Sequence, residues 1–239
     1  MHRFSLLLVI AGIAMGTARA QNDSRFTLNI AGGKSLSVRE LATKVFGETR
    51  GELADDGVAG QIVATYYPSR RIGIAARFSY NQNKTRQEGI RLIALNQYNV
   101  TTPVVESADD WNVASAMIGP SLRLGGRRLG LEARLLVGYA TVNSPAFVTT
   151  GTFQGFKIRV QTDAQKATDL AYGAGATLHI GITRGIALVV NADASLISTT
   201  FKNVNNQVTT TGFPTLTQQV DIDQNVGVVN VTGGLRFSF

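Results

Sequence analysis

Seven ionisable side chains in this sequence fall where they could meet inside a fold: Arg77, Arg123, Glu132, Arg134, His179, Asp193 and Arg236. Guanidinium and carboxylate groups can hold one another as buried ion pairs, or they can line a path for ions. Burying any of them unpaired is costly, so mutual pairing is expected. Two readings stand: a gated ion path, or a plug of salt bridges that fills a narrow interior. His179 is the only histidine beyond residue 20. A catalytic base must reach its substrate, and the neighbouring Ile180 and Gly181 supply no adjacent serine. With no cysteine in the chain and no second histidine, a metal site at His179 lacks partners. No catalytic, cofactor-binding or metal-binding set is expected.

These residues sit on segments that alternate. Ile72, Ile74, Ala76, Phe78 and Tyr80 oppose Gly73, Ala75, Arg77, Ser79 and Asn81. Leu129, Leu131, Ala133, Leu135, Val137 and Tyr139 oppose Gly130, Glu132, Arg134, Leu136 and Gly138. Period-two patterning is the signature of a strand with two unlike faces. Three evenly spaced turn signals, Pro68-Ser69-Arg70-Arg71, Gly125-Gly126-Arg127-Arg128 and Thr183-Arg184-Gly185, join such segments as hairpins. The pattern predicts eight strands, near residues 25–33, 57–67, 72–81, 111–124, 129–142, 170–182, 186–199 and 225–239. Short turns lie at one end, and long loops rich in Asn, Thr, Gln and Ser at the other.

Alternation does not by itself say which face is inside. A soluble lipocalin-like barrel, apolar face inward, would show the same period. Three features favour apolar side chains facing lipid. The polar face carries many Gly, Ala and Ser residues, which suits a narrow lumen. Aromatics cluster near strand ends (Phe26, Tyr66, Tyr80, Tyr139, Tyr172, Phe237, Phe239), as in interfacial girdles. The loops are also lopsided in length. The expected fold is therefore all-β: an eight-stranded antiparallel up-and-down transmembrane β-barrel with short periplasmic turns and long extracellular loops.

The N-terminal segment has a basic start, an apolar run from Phe4 to Met15, and Ala18-Arg19-Ala20 as a small-x-small cleavage site. Residues 1–20 are expected to be a signal peptide and 21–239 the barrel domain. Without Arg3 and Arg19 the chain keeps 21 basic against 16 acidic residues, a net of +5. The basic residues form no run and no aromatic-interleaved patch, so nucleic acid is not an expected partner.

At the other end Leu235, Phe237 and Phe239 share one strand face, with Gly234, Arg236 and Ser238 on the opposite one. Together with the signal peptide and the hairpin from Ile118-Gly119-Pro120 to Gly138-Tyr139, the run Val231–Phe239 resembles the small eight-stranded outer-membrane barrels of the OmpA/OmpX type, the outer membrane protein β-barrel domain family. The resemblance spans the mature chain. It implies the bacterial outer membrane as location, with lipid and lipopolysaccharide as surroundings. It also implies that Leu235, Phe237 and Phe239 serve as the signal read by the barrel-assembly machinery. With no residue of catalytic standing, the expected protein is a monomer without cofactor or catalysis, acting in membrane structure or surface binding through a protein or glycan partner at the loops. The alternative is a narrow passive channel for ions or small solutes. Fold-level likeness fixes place better than role.

The loops carry weaker signals. Ser37-Val38-Arg39-Glu40 fits a capping box, and apolar residues follow at helical spacing, so a short helix is expected over residues 37–46. Runs near residues 148–156, 157–161 and 206–211 could extend hairpins above the membrane. Asp55-Asp56, Asp109-Asp110, Asp169, Asp221 and Asp223 should ring the outer rim, either as sites for divalent cations or as ordinary strand-end solvation.

Overall fold

The computed structural model describes residues 24–37, 43–45, 48–50, 53–126 and 128–239. In chain order these form β1 (Phe26–Ser37), β2 (Thr43–Val45), β3 (Glu48–Arg50), β4 (Ala54–Tyr66) and β5 (Ile72–Thr85). There follow α1 (Gln87–Tyr98), β6 (Thr101–Ala108), β7 (Trp111–Gly125), β8 (Leu129–Asn143), β9 (Phe147–Phe153) and β10 (Phe156–Thr162). The chain ends with β11 (Lys166–Gly181), β12 (Ile186–Thr210) and β13 (Leu216–Ser238). The proposed signal peptide lies outside the described residues.

Eight strands close on themselves in the order β1-β4-β5-β7-β8-β11-β12-β13 and back to β1, every neighbour antiparallel. The closing seam runs from Thr27↔Ser238 to Ser37↔Val228. The three tight turns are fixed locally. Ser69 Oγ accepts the Ile72 amide at 2.9 Å, the Gly126 amide donates to the Leu129 carbonyl at 2.9 Å, and Thr183 Oγ1 accepts the Ile186 amide at 3.1 Å. Gly125 takes φ +89°, a left-handed conformation that favours glycine.

The side chains are arranged inside out. Leu135 and Tyr139 are 65% and 64% exposed, whereas Glu132 and Arg134 on the same strand are 0% and 2% exposed. Such a surface is stable in hydrocarbon and not in water. From Leu129 to Tyr139 the outward face of β8 spans about 33 Å along the strand, or about 25 Å across the membrane at the usual tilt, the height of a lipid-facing band. Phe26, Tyr66 and Phe239 gather at the short-turn end, where Phe26 pairs with Tyr66 across the strands and its ring lies 6.0 Å from that of Phe239. Tyr80, Tyr139 and Tyr172 stand exposed toward the other end.

Above the membrane the chain builds more than loops. β12 and β13, 25 and 23 residues long, continue past the barrel. A register shift between Phe201 and Val204, with Asn203 at φ +53°, marks where β12 changes neighbours. Below it β12 pairs with β11; above it, residues 206–210 pair with β10, which pairs with β9, which pairs with β6. The β-like runs near 148–161 and 206–211 are thus strands of an extracellular sheet.

Of the helix expected over residues 37–46, the described residues are extended. Ser37 ends β1, and Thr43–Val45 pairs as a strand with Glu48–Arg50; the rest of the proposed residues 37–46 lie outside those described. The helix is α1, inside the loop between β5 and β7. Its buried residues Ile90, Ile93 and Ala94 follow helical spacing, and Asn99 ends it with φ +49°.

The seam allows a direct check. A Cβ at Gly234 would lie 2.0 Å from the Ile30 carbonyl oxygen across the closing strands, whereas one at Gly60 meets nothing within 4 Å. Gly234→Ala is expected to destabilise the barrel by about 1–3 kcal/mol, and Gly60→Ala to be neutral. The unheated folded band on SDS gels and its urea midpoint report both.

Candidate functional site

The lumen holds the ionisable residues in tiers, placed by the strand period. β8 points Glu132 and Arg134 inward two residues apart, β12 points Asp193 inward, and β5 and β13 contribute Arg77 and Arg236.

The middle tier centres on Asp193, which receives two guanidinium groups. Arg134 reaches it through Nη2, at 2.6 Å to Oδ1 and 2.7 Å to Oδ2, and through Nε at 3.0 Å. Arg77 Nη1 lies 3.2 Å from Asp193 Oδ1, and its Nη2 donates to Ser195 Oγ at 2.6 Å. Neutral groups complete the set. Gln61 Nε2 donates to Asp193 Oδ2 at 2.8 Å, and Arg134 Nη1 to Thr177 Oγ1 at 2.7 Å. Thr177 passes its hydroxyl to Asn191, whose amide donates to Thr232.

The lower tier, nearer the short turns, centres on Glu132. It accepts from Arg236 Nη2 and, at 3.1 Å, from Thr65 Oγ1. Arg236 also donates to Asn29 Oδ1 at 2.8 Å and to His179 Nδ1 at 2.9 Å. A guanidinium can only donate, so Nδ1 is the acceptor and Nε2 carries the hydrogen. That Nε2 lies 3.2 Å from the Gly126 carbonyl. Both imidazole nitrogens are therefore engaged.

The sequence lets Arg77, Glu132, Arg134 and Asp193 meet in the lumen; the structure brings Arg77, Arg134 and Asp193 together and sets Glu132 apart. Glu132 belongs with Arg236, one strand repeat below the Asp193 tier. Arg123 joins neither tier. It lies at the mouth, with its guanidinium carbon 3.5 Å above the Tyr67 ring. The reason is register: Arg123 is opposite Glu132 across β7 and β8, but Arg236 takes that carboxylate. Counting charged residues alone overlooks Gln61, Asn29, Thr65, Thr177, Asn191, Ser195 and Thr232. Their signal was inward parity on their strands.

Above the polar tiers the interior turns apolar. Met117, Leu136, Val142, Ile197 and Val226 pack below Trp111 and Phe201, whose rings meet edge-on at 6.4 Å. α1 covers this layer with Ile93, leaving a cavity of about 80 Å³ beside Ile90, Trp111, Phe201 and Val220. A second small core joins Ala94 and Val100 to Ile158 and Val160 of β10. Burial pushes the Tyr98 hydroxyl above its ordinary pKa at this junction.

Five of the seven outer-rim aspartates have a hydrogen-bond partner within the chain. Asp55 accepts from Arg86 at 2.7 Å, Asp110 from Gln82 at 2.8 Å, Asp221 from the Asn203 amide at 2.8 Å, Asp223 from Thr200 at 2.6 Å, and Asp169 from Thr199. These are strand-end bonds. Among the described residues no three His, Asp or Glu side chains gather as a metal-binding group.

At the C-terminus Leu235 faces outward, Phe237 pairs with Leu28 on one side and Ile186 on the other, and the Phe239 amide donates to the Phe26 carbonyl at 2.9 Å. Of the proposed assembly-signal residues, Leu235 and Phe237 therefore lie on the closing strand and Phe239 directly follows it.

No curated protein matches the sequence. Among solved structures the chain is similar to Neisserial surface protein A (NspA), at 10% identity and a TM-score of 0.48, over 92% of this chain and 100% of that one. It is also similar to OprG from Pseudomonas aeruginosa, at 11% identity and a TM-score of 0.48, over 92% and 100%. A third is Ail, the attachment invasion locus protein of Yersinia pestis, solved with the heparin analogue sucrose octasulfate, at 17% identity and a TM-score of 0.45, over 89% and 99%. The family model of the outer membrane protein β-barrel domain matches residues 4–214, and the chain belongs to that family, whose place is the bacterial outer membrane.

Proposed function

We propose that this barrel is a non-conducting, non-catalytic scaffold that holds a rigid binding platform above the outer membrane. The observation that carries the reading is the sealed interior. Two charged tiers lie across the lumen below an apolar layer, and α1 and the extracellular sheet cover the mouth. An eight-stranded barrel is just wide enough to be filled by its own side chains. The sheet adds ordered surface at the outer end, where an exposed pair, Phe156 and Phe213, packs edge to face at 5.6 Å. Rigid elements make better recognition surfaces than mobile loops, because less entropy is lost on binding. A protein or glycan partner at this platform fits the geometry better than solute passage. The engaged nitrogens of His179 support a role without catalysis.

Conductance separates this reading from a passive channel: the refolded protein in planar bilayers is expected to give no steps above leak, and steady unitary currents would overturn it. A pull-down from surface-labelled cells tests the platform. Removing residues 147–162 should abolish capture while leaving the folded gel band, whereas capture unchanged by the deletion would place binding elsewhere.

The charged tiers have their own test. Asp193→Ala leaves Arg77 and Arg134 buried without a carboxylate, which is expected to cost about 3–5 kcal/mol by urea titration in detergent. Replacing Arg77 and Arg134 by Met and Asp193 by Leu together should recover most of that loss, since an apolar filling avoids the desolvation of three charges.

A further inference from the structure

The short-turn end of the barrel opens into a vestibule of about 800 Å³. Six arginines line it: Arg25, Arg70, Arg71, Arg123, Arg184 and Arg236, with His179 beside Arg236 on its inner side. No Asp or Glu is among the described residues that line it. Arg236 is held by Glu132, Asn29 and His179, and Arg70 and Arg184 have partners of their own. Arg25, Arg71 and Arg123 pair with no carboxylate among the described residues.

The main chain carrying those three is tied together at the mouth. The Tyr67 amide donates to the Arg25 carbonyl at 2.7 Å, and the Arg123 amide donates to the Arg71 carbonyl at 2.6 Å. Arg123 is stacked on the Tyr67 ring, and its Nε is buried without a hydrogen-bond partner. Its guanidinium is therefore fixed before any ligand arrives.

We propose that this vestibule is a binding site for a small phosphoryl-bearing polyanion that enters from the periplasmic side. Guanidinium groups match phosphate oxygens in two-point contacts, and three uncompensated ones around a concave mouth favour a ligand carrying more than one negative group. The volume falls within the range of small-molecule sites and exceeds what a single phosphate fills. The vestibule opens along the barrel axis, so a soluble compound can enter it directly. A headgroup of an anionic lipid has the same chemistry but must reach in from the rim. The site is independent of the extracellular platform, and failure of either leaves the other standing.

The test uses the whole mature protein in zwitterionic nanodiscs, titrated calorimetrically with inositol hexakisphosphate, pyrophosphate and inorganic phosphate. The expected result is saturable one-to-one binding, tightest for the hexakisphosphate and weaker as salt rises. Arg123→Gln should weaken it at least tenfold. The double variant Arg25→Gln/Arg71→Gln should do the same without touching the Tyr67 stack, so the test survives if Arg123→Gln does not fold. Arg159→Gln, on the extracellular sheet, should leave binding unchanged. Absence of saturable binding by the wild type, or equal affinity in the double variant, would overturn the proposal. Repeating the titration in nanodiscs with phosphatidylglycerol assigns the source: lost binding of the free probe identifies the lipid headgroup as occupant, and retained binding identifies a soluble one.

Discussion

Hydrocarbon offers no hydrogen-bond partner, so every backbone amide and carbonyl within the membrane must find one in the chain itself. For strands that requirement is met only when the first pairs with the last. The β1–β13 seam is where this happens, and the glycines beside it allow the strands to close. Gly33 and Gly234 lie where any side chain would strike backbone of the strand across the seam. Closure then fixes everything else: the inward and outward faces, the narrow lumen, and the positions of its charges.

A narrow lumen forces charges into pairs, and the pairing follows register and not sequence proximity. Asp193 sits between Arg77 and Arg134 because three strands bring those positions to one height. Glu132, two residues from Arg134, belongs with Arg236 from the opposite end of the chain. The two carboxylates are shared among three of the arginines, and Arg123 remains at the mouth, stacked on an aromatic ring. Every arginine in the closed interior thus meets a carboxylate, whereas those at the open end are left to the water that can solvate them.

The two ends of the barrel are built on different physics. The short-turn end is open and basic. The far end is covered by an apolar core under α1 and a sheet that grows from β12. The bulge at Phe201–Val204 joins the two regimes, since it lets one strand leave the wall and start a second sheet. Long hairpins that keep pairing beyond the membrane cost little entropy per residue, because each new pair is adjacent to one already formed.

The barrel strands were legible in the residues because a two-residue period reports a surface with two unlike sides, and Ile72 to Tyr80 or Leu129 to Tyr139 show it without interruption. The inward parity of Arg77, Glu132, Arg134 and Asp193 was legible for the same reason. The helix at Gln87–Tyr98 was less so, since Ile90, Ile93 and Ala94 are a short signal inside a polar stretch. Local sequence therefore determined which side each residue faces, the turns and the chemical character of the lumen. Only the closed tertiary structure decided which charge meets which, that Arg123 stays unpaired, and that three loops fold together into a sheet. Those outcomes depend on contacts between strands far apart along the chain, and no local period encodes their heights.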